Sequence, residues 1–383
     1  MKRLYIILFA LLSFTAVAQA KVICGAESTS EWQKLLQGKR VVLLANHTAM
    51  VGEKHLLDVM LDKKINVIAV VAPEHGFRGK ADAGEKVDSS IDTKTGLPIW
   101  SLYSAKSRRL TPEQVAQFDV IVVDMQDVGL RFYTYYISML SVMKSAAESG
   151  KEVVIFDRPN PNGMYVDGPI LDMKYKSGVG ALPIPVVHGL TMGEIALMAV
   201  GEGWCNACKV EVVKCKNYTH QTRYSLPIAP SPNLRSMQSI YLYPSTCLFE
   251  GTICSLGRGT EYPFEVYGHP SIKGATFSFT PRSIPGAKYP PHLNKECYGV
   301  DLRKVDHETI IANGFNLEYI IDAYKKVGIG EPFFTSFFEK LVGVDYIRNM
   351  IIEGKSASEI RAKWQGEVEQ FKVLRRKYLL YEE

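Results

Sequence analysis

The stretch NVIAVVAPEHGFRGK, residues 66–80, decides the fold. After Asn66 come Val67, Ile68, Ala69, Val70, Val71 and Ala72, an apolar, β-branched run with no polar alternation. That texture belongs to a strand buried on both faces of a parallel sheet. At Pro73 the run breaks into Glu74, His75, Gly76, Phe77, Arg78 and Gly79, which crowds a carboxylate, an imidazole and a guanidinium at the end of a buried strand. Working outward, the same texture recurs in Arg40–Ala45 (RVVLLA), Phe118–Asp124 (FDVIVVD) and Lys151–Asp157 (KEVVIFD), with a shorter strand at Pro185–Val187. Helical spacing covers Glu53–Asp62, Thr111–Gln117, Phe132–Glu148 and Thr191–Val200. Alternation of this kind predicts an α/β fold: a Rossmann-like, doubly wound parallel sheet with right-handed crossovers.

Near His269 the texture changes. Residues 274–291 (GATFSFTPRSIPGAKYPP) are rich in Pro, Gly and aromatics, and helical patterns follow at Leu317–Lys326, Phe333–Leu341, Val344–Ile352 and from Ser358 onward, where Ser356 or Ser358 precedes Glu359 as an N-cap. The reading is a Rossmann-like catalytic domain over 21–268 and a smaller C-terminal α/β domain over 269–383 that closes the cleft.

Residues 1–20 read as a signal peptide: Lys2 and Arg3, an apolar run from Leu4 to about Val17, then Ala18-Gln19-Ala20 as a cleavage site. The mature chain is expected to begin at Lys21 and to be exported, periplasmic or secreted. Val22 and Ile23 stand where a lipobox before Cys24 needs a small residue, and no later stretch has eighteen uninterrupted apolar residues, so no stable membrane anchor is expected. Without the leader the formal charge falls from +5 to +3, too weak to imply a nucleic-acid partner. The chain has seven cysteines. Cys205, Cys208 and Cys215 with His220 match no common zinc module, which favours structural thiols or one disulfide over metal.

Open parallel sheets bind ligands at the carboxyl ends of their strands. Here each expected strand ends in polar residues: Asn46-His47-Thr48, Glu74-His75, Asp124–Asp127, Asp157-Arg158-Pro159-Asn160, and His188. Helix capping explains one such cluster; five in succession point to a site. No cofactor is expected, because NHTAMVG after the first strand lacks the G-x-G-x-x-G turn and no G-x-x-x-x-G-K-[ST] occurs. Burial at a strand end raises the pKa of Glu74 towards that of a general acid, unless pairing with Arg78 opposes it. His75 can tune Glu74, donate to substrate or hold the loop. Asp124 and Asp127 supply further carboxylates, as acid/base glycoside chemistry requires. Asn46, Gln126, Arg131, Tyr135, Asn160 and His188 are candidate sugar contacts, with Arg158 in the rigid DRPNPNG loop. Glu250 and Arg258, the latter between Gly257 and Gly259, complete the set. Tyr133, Tyr135 and Tyr136 cannot share one helical face, so some of them are core.

Taken together, NHTA at 46–49, PEHGFRG at 73–79, DMQDVGLRFYTY at 124–135, DRPNPNG at 157–163, VHGLTMGE at 187–194, SPNL at 231–234, EGT at 250–252, GRGTEYPFE at 257–265 and the terminal YLLY resemble the DUF1343 group, the NamZ-type exo-β-N-acetylmuramidases. The resemblance spans essentially the whole mature chain. It implies a two-domain hydrolase that removes N-acetylmuramic acid from the non-reducing ends of peptidoglycan, with the glutamate of the EHG-x-RG block, here Glu74, as catalytic acid. Such a substrate carries a lactyl carboxylate, for which Arg78, Arg131, Arg158 and Arg258 are candidate partners. Inversion, retention and participation of the substrate acetamido group all stay open. A non-catalytic periplasmic binding protein for cell-wall amino sugars is the alternative; an esterase lacks its G-x-S-x-G elbow.

Overall fold

The computed structural model describes residues 20–73, 77, 90–102 and 109–383. Residues 1–19 of the expected leader, and Glu74, His75 and Arg78, lie outside the described residues.

Strand β1 (Val41–Ala45) leads into a short hairpin of β2 (Met50–Val51) and β3 (Lys54–His55). The chain continues through β4 (Val67–Ala72), β5 (Ser90–Ile91), β6 (Pro98–Ser101), β7 (Val120–Asp124), β8 (Glu152–Phe156) and β9 (Val210–Val213). These form a sheet in the order β5-β6-β4-β1-β7-β8-β9, parallel throughout except for β5 at the edge. The parallel strands, ranked along the chain, therefore lie 3-2-1-4-5-6, which is the doubly wound Rossmann order. The order reverses between β1 and β7. There Ala45 stands in register with Asp124, so the loops that follow them open the crevice in which such sheets bind ligands.

Central strands are apolar on both faces because helices cover both. Val42 and Leu44 join one core layer, while Val41, Leu43 and Ala45 join the other. Four expected strands match within a residue or two. Pro185–Val187 is corrected: Pro183 and Pro185 lack the N–H groups a ladder needs, and Val187 makes only isolated bridges to Leu130 and Asp167. β6 carries no buried apolar run in its sequence, since it opens with Pro98 and most of its residues are partly exposed.

The expected helices survive with trimmed starts. Leu56–Asp62 begins after the hairpin, with His55 accepting from the Leu57 N–H. Thr111 and Thr191 form capping boxes with Gln114 and Glu194, which set the starts of Pro112–Val115 and Met192–Gly201. The helix Tyr135–Glu148 leaves Phe132 and Tyr133 in the preceding loop. Met237–Thr246, a buried helix containing Pro244, was not anticipated.

A second, antiparallel sheet has the order β10-β12-β11, from β10 (Val266–His269), β11 (Phe277–Phe279) and β12 (Cys297–Asp301). The expected boundary between 268 and 269 falls within β10. Six α-helices among the described residues follow between His307 and Arg375, and Ser356 with Glu359 builds the capping box of Ala357–Arg361. One apolar cluster runs through both parts, joining Val142 and Met143 of the first to Phe338 and Trp364 of the second. The C-terminal segment turns back to the first sheet, where Tyr381 donates to Asp157 Oδ2 at 2.7 Å and the Leu380 N–H to Glu194 Oε1 at 2.8 Å.

All seven cysteines are free thiols. Cys215 Sγ donates to the Asp157 carbonyl at 3.2 Å and His220 Nε2 lies 3.0 Å from Glu194 Oε1, so these two are engaged separately rather than around one metal position. No helix among the described residues is long and apolar enough to cross a membrane.

Candidate active site

The polar residues at the carboxyl edge of the first sheet divide into a buried framework and the lining of a cavity. The framework begins at the switch between β1 and β7. Asn46 Oδ1 accepts from Thr48 Oγ1 at 2.6 Å, and Thr48 Oγ1 in turn accepts from the Gln126 N–H at 3.0 Å, tying the two loops together. Gln126 Nε2 donates to the Asp127 and Pro159 carbonyls, both at 2.8 Å. Asn160 donates to the Leu190 carbonyl, accepts from the Asn162 N–H, and lies over Gly129. Gly129 has φ +80, and a Cβ there would sit 2.1 Å from Asn160 Oδ1, so both backbone conformation and space require glycine.

Asp124 and Arg158 form a fully enclosed ion pair. Arg158 Nε reaches Asp124 Oδ1 at 2.5 Å and Nη2 reaches Oδ2 at 3.0 Å, while the side chains are 6% and 0% exposed. Burial would depress the Arg158 guanidinium, but the adjoining carboxylate more than offsets this and holds it above its ordinary value. With both oxygens engaged and no exposure, Asp124 cannot serve as a catalytic carboxylate, and Arg158 cannot grip a substrate. Both expectations are corrected: the two residues brace the ends of β7 and β8.

Arg131 is likewise corrected. It is 0% exposed, and its guanidinium donates to the carbonyls of Pro169, Ile184, Leu341 and Val342 at 2.6 to 3.0 Å. Burial alone pushes it down to about 10. Gly343 packs so closely that a Cβ would lie 2.6 Å from Arg131 Nη2. Arg131 is thus a strut between the first sheet's loops and the C-terminal helices. His188 is also enclosed: its Nδ1 accepts from the Leu190 N–H, and burial, with Arg375 and Arg131 nearby, pushes it down to about 3, so it is neutral. Asn46, Gln126 and Asn160 are buried to the same degree, which corrects their assignment as sugar contacts.

Asp127 differs from its neighbours. Its Oδ1 accepts from the Gly129 N–H at 2.7 Å, while Oδ2 is buried without a hydrogen-bond partner. Burial outweighs the Gly129 and Val128 N–H groups and pushes the carboxyl up to about 7.

The open space lies beyond this framework, where the loop leaving β7 meets the segments 231–234, 249–264 and 286–291. A cavity of about 420 Å³ is lined by Phe249, Glu250, Leu256, Arg258, Lys288 and Tyr289 among others. A smaller one of about 110 Å³, which shares Glu250 and Arg258, is lined by Tyr133, Tyr135, Asn233, Tyr243 and Phe264. Their combined size and mixed lining suit a small polar ligand flanked by rings. Tyr133 and Tyr135 stand edge to face at 4.9 Å, and both hydroxyls donate to the Pro230 carbonyl. Tyr136 packs away from them into the core, where its hydroxyl accepts from the Ala181 N–H. Arg258 donates from Nε at 3.1 Å and Nη2 at 2.5 Å to the single oxygen Oε1 of Glu250, over the ring of Phe264 at 5.1 Å.

Of the expected site residues that are described, the structure therefore brings Tyr135, Glu250 and Arg258 to a cavity. Tyr133, Asn233, Lys288 and Tyr289 were not singled out as contacts. Asn233 sits in the SPNL stretch, which offered a signal; Lys288 and Tyr289 fall in a Pro- and Gly-rich segment with no chemical pattern. No group of three or more His, Cys, Asp or Glu residues poised to hold a metal occurs among the described residues.

The chain matches known proteins over both parts. The N-terminal family model of exo-β-N-acetylmuramidase NamZ matches residues 41–238, and the C-terminal model of the same family matches residues 241–381. A peptidoglycan β-N-acetylmuramidase NamZ from Bacillus subtilis (strain 168) is 38% identical over 370 residues, which is 92% of this chain and 89% of the relative. The crystal structure of a DUF1343 family protein from Bacteroides fragilis NCTC 9343 is similar with a TM-score of 0.90 at 57% identity, covering 95% of this chain and 100% of that one. A second DUF1343 structure from the same strain gives a TM-score of 0.81 at 28% identity, over 94% and 99%. With a sheet in the Rossmann order and family models matching nearly the whole described chain, this protein belongs to the NamZ family of exo-β-N-acetylmuramidases.

Proposed function

We propose that the protein is an exo-acting glycoside hydrolase that releases N-acetylmuramic acid from the non-reducing ends of peptidoglycan glycan fragments, with Glu74 as general acid. The likeness to a curated muramidase along nine-tenths of the chain carries this reading. Glu74 follows Pro73 at the carboxyl end of β4, the strand next to β1 in the sheet. A carboxylic acid there would protonate the departing glycosidic oxygen. For the second group, Asp124 is consumed by Arg158, whereas Glu250 keeps Oε2 without a hydrogen-bond partner among the described residues and lines the cavity. Asp127, with a pKa of about 7, holds its proton over much of the acidic range and suits a donor better than a nucleophile.

The enzyme acts outside the cytoplasm in this reading, since the leader at 1–20 would deliver it to peptidoglycan. N-terminal sequencing of the exported protein is expected to begin at Lys21, and retention of Met1 in the active form would refute the cleavage. The decisive assay incubates the mature protein with peptide-free glycan fragments. Stepwise release of N-acetylmuramic acid supports the proposal; faster release of N-acetylglucosamine, or saccharide binding without cleavage, overturns it.

A further inference from the structure

Three arginines near the switch region present different amounts of unused hydrogen-bonding capacity. Arg131 spends both terminal nitrogens on main-chain carbonyls, and Arg158 spends Nε and Nη2 on Asp124 and the Met50 carbonyl. Arg258 is held by one edge only. Its Nε and Nη2 converge on Glu250 Oε1, and Nη1 has no hydrogen-bond partner among the described residues. A guanidinium offers two forked edges, so Glu250 fills the Nε/Nη2 edge with a single oxygen and leaves the Nη1/Nη2 edge for a second, bidentate carboxylate. The Phe264 ring beneath fixes the plane of the fork, and the same side chains line both cavities. Arg258 is only 20% exposed, which strengthens a charge-assisted bond made there relative to one in open water.

We infer that Arg258 reads the lactyl carboxylate that distinguishes N-acetylmuramic acid from N-acetylglucosamine, and that Glu250 Oε1 holds the fork by its opposite edge. The inference rests on the muramidase reading for the identity of the carboxylate. It leaves Glu250, which lines both cavities, with Oε2 as a spare acceptor for a hydroxyl or acetamido N–H of the bound sugar.

The test is calorimetric binding of N-acetylmuramic acid, its uncharged lactyl amide and N-acetylglucosamine to wild type, Arg258→Ala, Arg258→Lys and Glu250→Gln. Wild type is expected to prefer the acid over the amide by about thirtyfold or more, the lower end for a charge pair that loses one partner. Arg258→Ala should abolish the preference and leave N-acetylglucosamine binding within about threefold of wild type. Arg258→Lys should keep part of the preference, because a lysine supplies charge without the fork. Glu250→Gln should weaken the preference without removing it. A wild type indifferent to acid and amide overturns the inference, as does an Arg258→Ala protein that keeps the full preference. Should Arg258→Ala fail to fold, Arg258→Lys with an undiminished preference overturns it equally. Binding and cleavage separate the two readings: a wild type that shows the preference but hydrolyses no glycan refutes the muramidase alone, and an active enzyme whose Arg258 variants keep the preference refutes this assignment alone.

Discussion

Asp124–Arg158 and Glu250–Arg258 are both acid–arginine pairs beside the crevice, with similar contact distances, and they occupy opposite physical regimes. In the first, both carboxylate oxygens and two guanidinium nitrogens are engaged with side chains only 0% and 6% exposed; in the second, one oxygen accepts both bonds with side chains 26% and 20% exposed. In the closed pair both carboxylate oxygens are taken and the side chains are almost out of solvent, so its worth is structural. A pair closed at one edge keeps a donor fork and an acceptor oxygen for a visitor. Residue type alone does not distinguish them; burial and the count of spare lone pairs and protons do.

The sharpest way to break this comparison is stability. Arg158→Ala leaves Asp124 as an unpaired charge in the interior and is expected to lower unfolding free energy by about 3–5 kcal/mol, read from urea denaturation. A loss near zero would mean that water reaches the pair, and the distinction would collapse. Next in size is the catalytic effect of Glu74→Gln, expected to cost about a hundredfold or more on a natural disaccharide and distinctly less on a nitrophenyl glycoside, whose leaving group needs little protonation. Equal losses on both substrates would move the search for the acid to the open Glu250 rather than to the closed Asp124.

Asp127 tests the same contrast from the acid's side, since it is buried beside the framework without an arginine. Its folded pKa of about 7 lies above the ordinary 3.8, so between these values the native state binds more protons than the unfolded chain. Stability is therefore expected to fall as pH rises from about 4 through 7, by at most about 1.4 kcal/mol per unit from this group. Asp127→Asn should remove that slope in denaturation midpoints measured across the range. An unchanged slope would show that Asp127 is charged and paired. The smallest effect belongs to the open pair: Glu250→Gln should change unfolding free energy by less than about 1 kcal/mol while still altering ligand preference. A loss as large as that of Arg158→Ala would make the cavity pair structural too.

Much of the fold was legible. Unbroken β-branched runs such as Val67–Ala72 and Val120–Asp124, separated by helices whose starts Thr111 and Thr191 announce with capping boxes, left few alternatives to a doubly wound sheet. Less visible were β6, which tolerates Pro98 only as its first residue, and the buried helix Met237–Thr246, whose Pro244 argues locally against a helix. The matching blocks carried the family, and chain order placed the polar clusters at one sheet edge.

What the sequence by itself determined was therefore the alternation of strands and helices, the edge at which polar residues gather, and the family. Only the tertiary structure decided which of those residues face inward. Arg131 reads on paper like a substrate grip, yet the carbonyls that absorb it come from Pro169, Ile184, Leu341 and Val342, as far as 211 positions along the chain. A hydrogen-bonding group is spent or spare according to what the rest of the chain brings within about 3 Å of it, and local sequence carries no record of such distant partners.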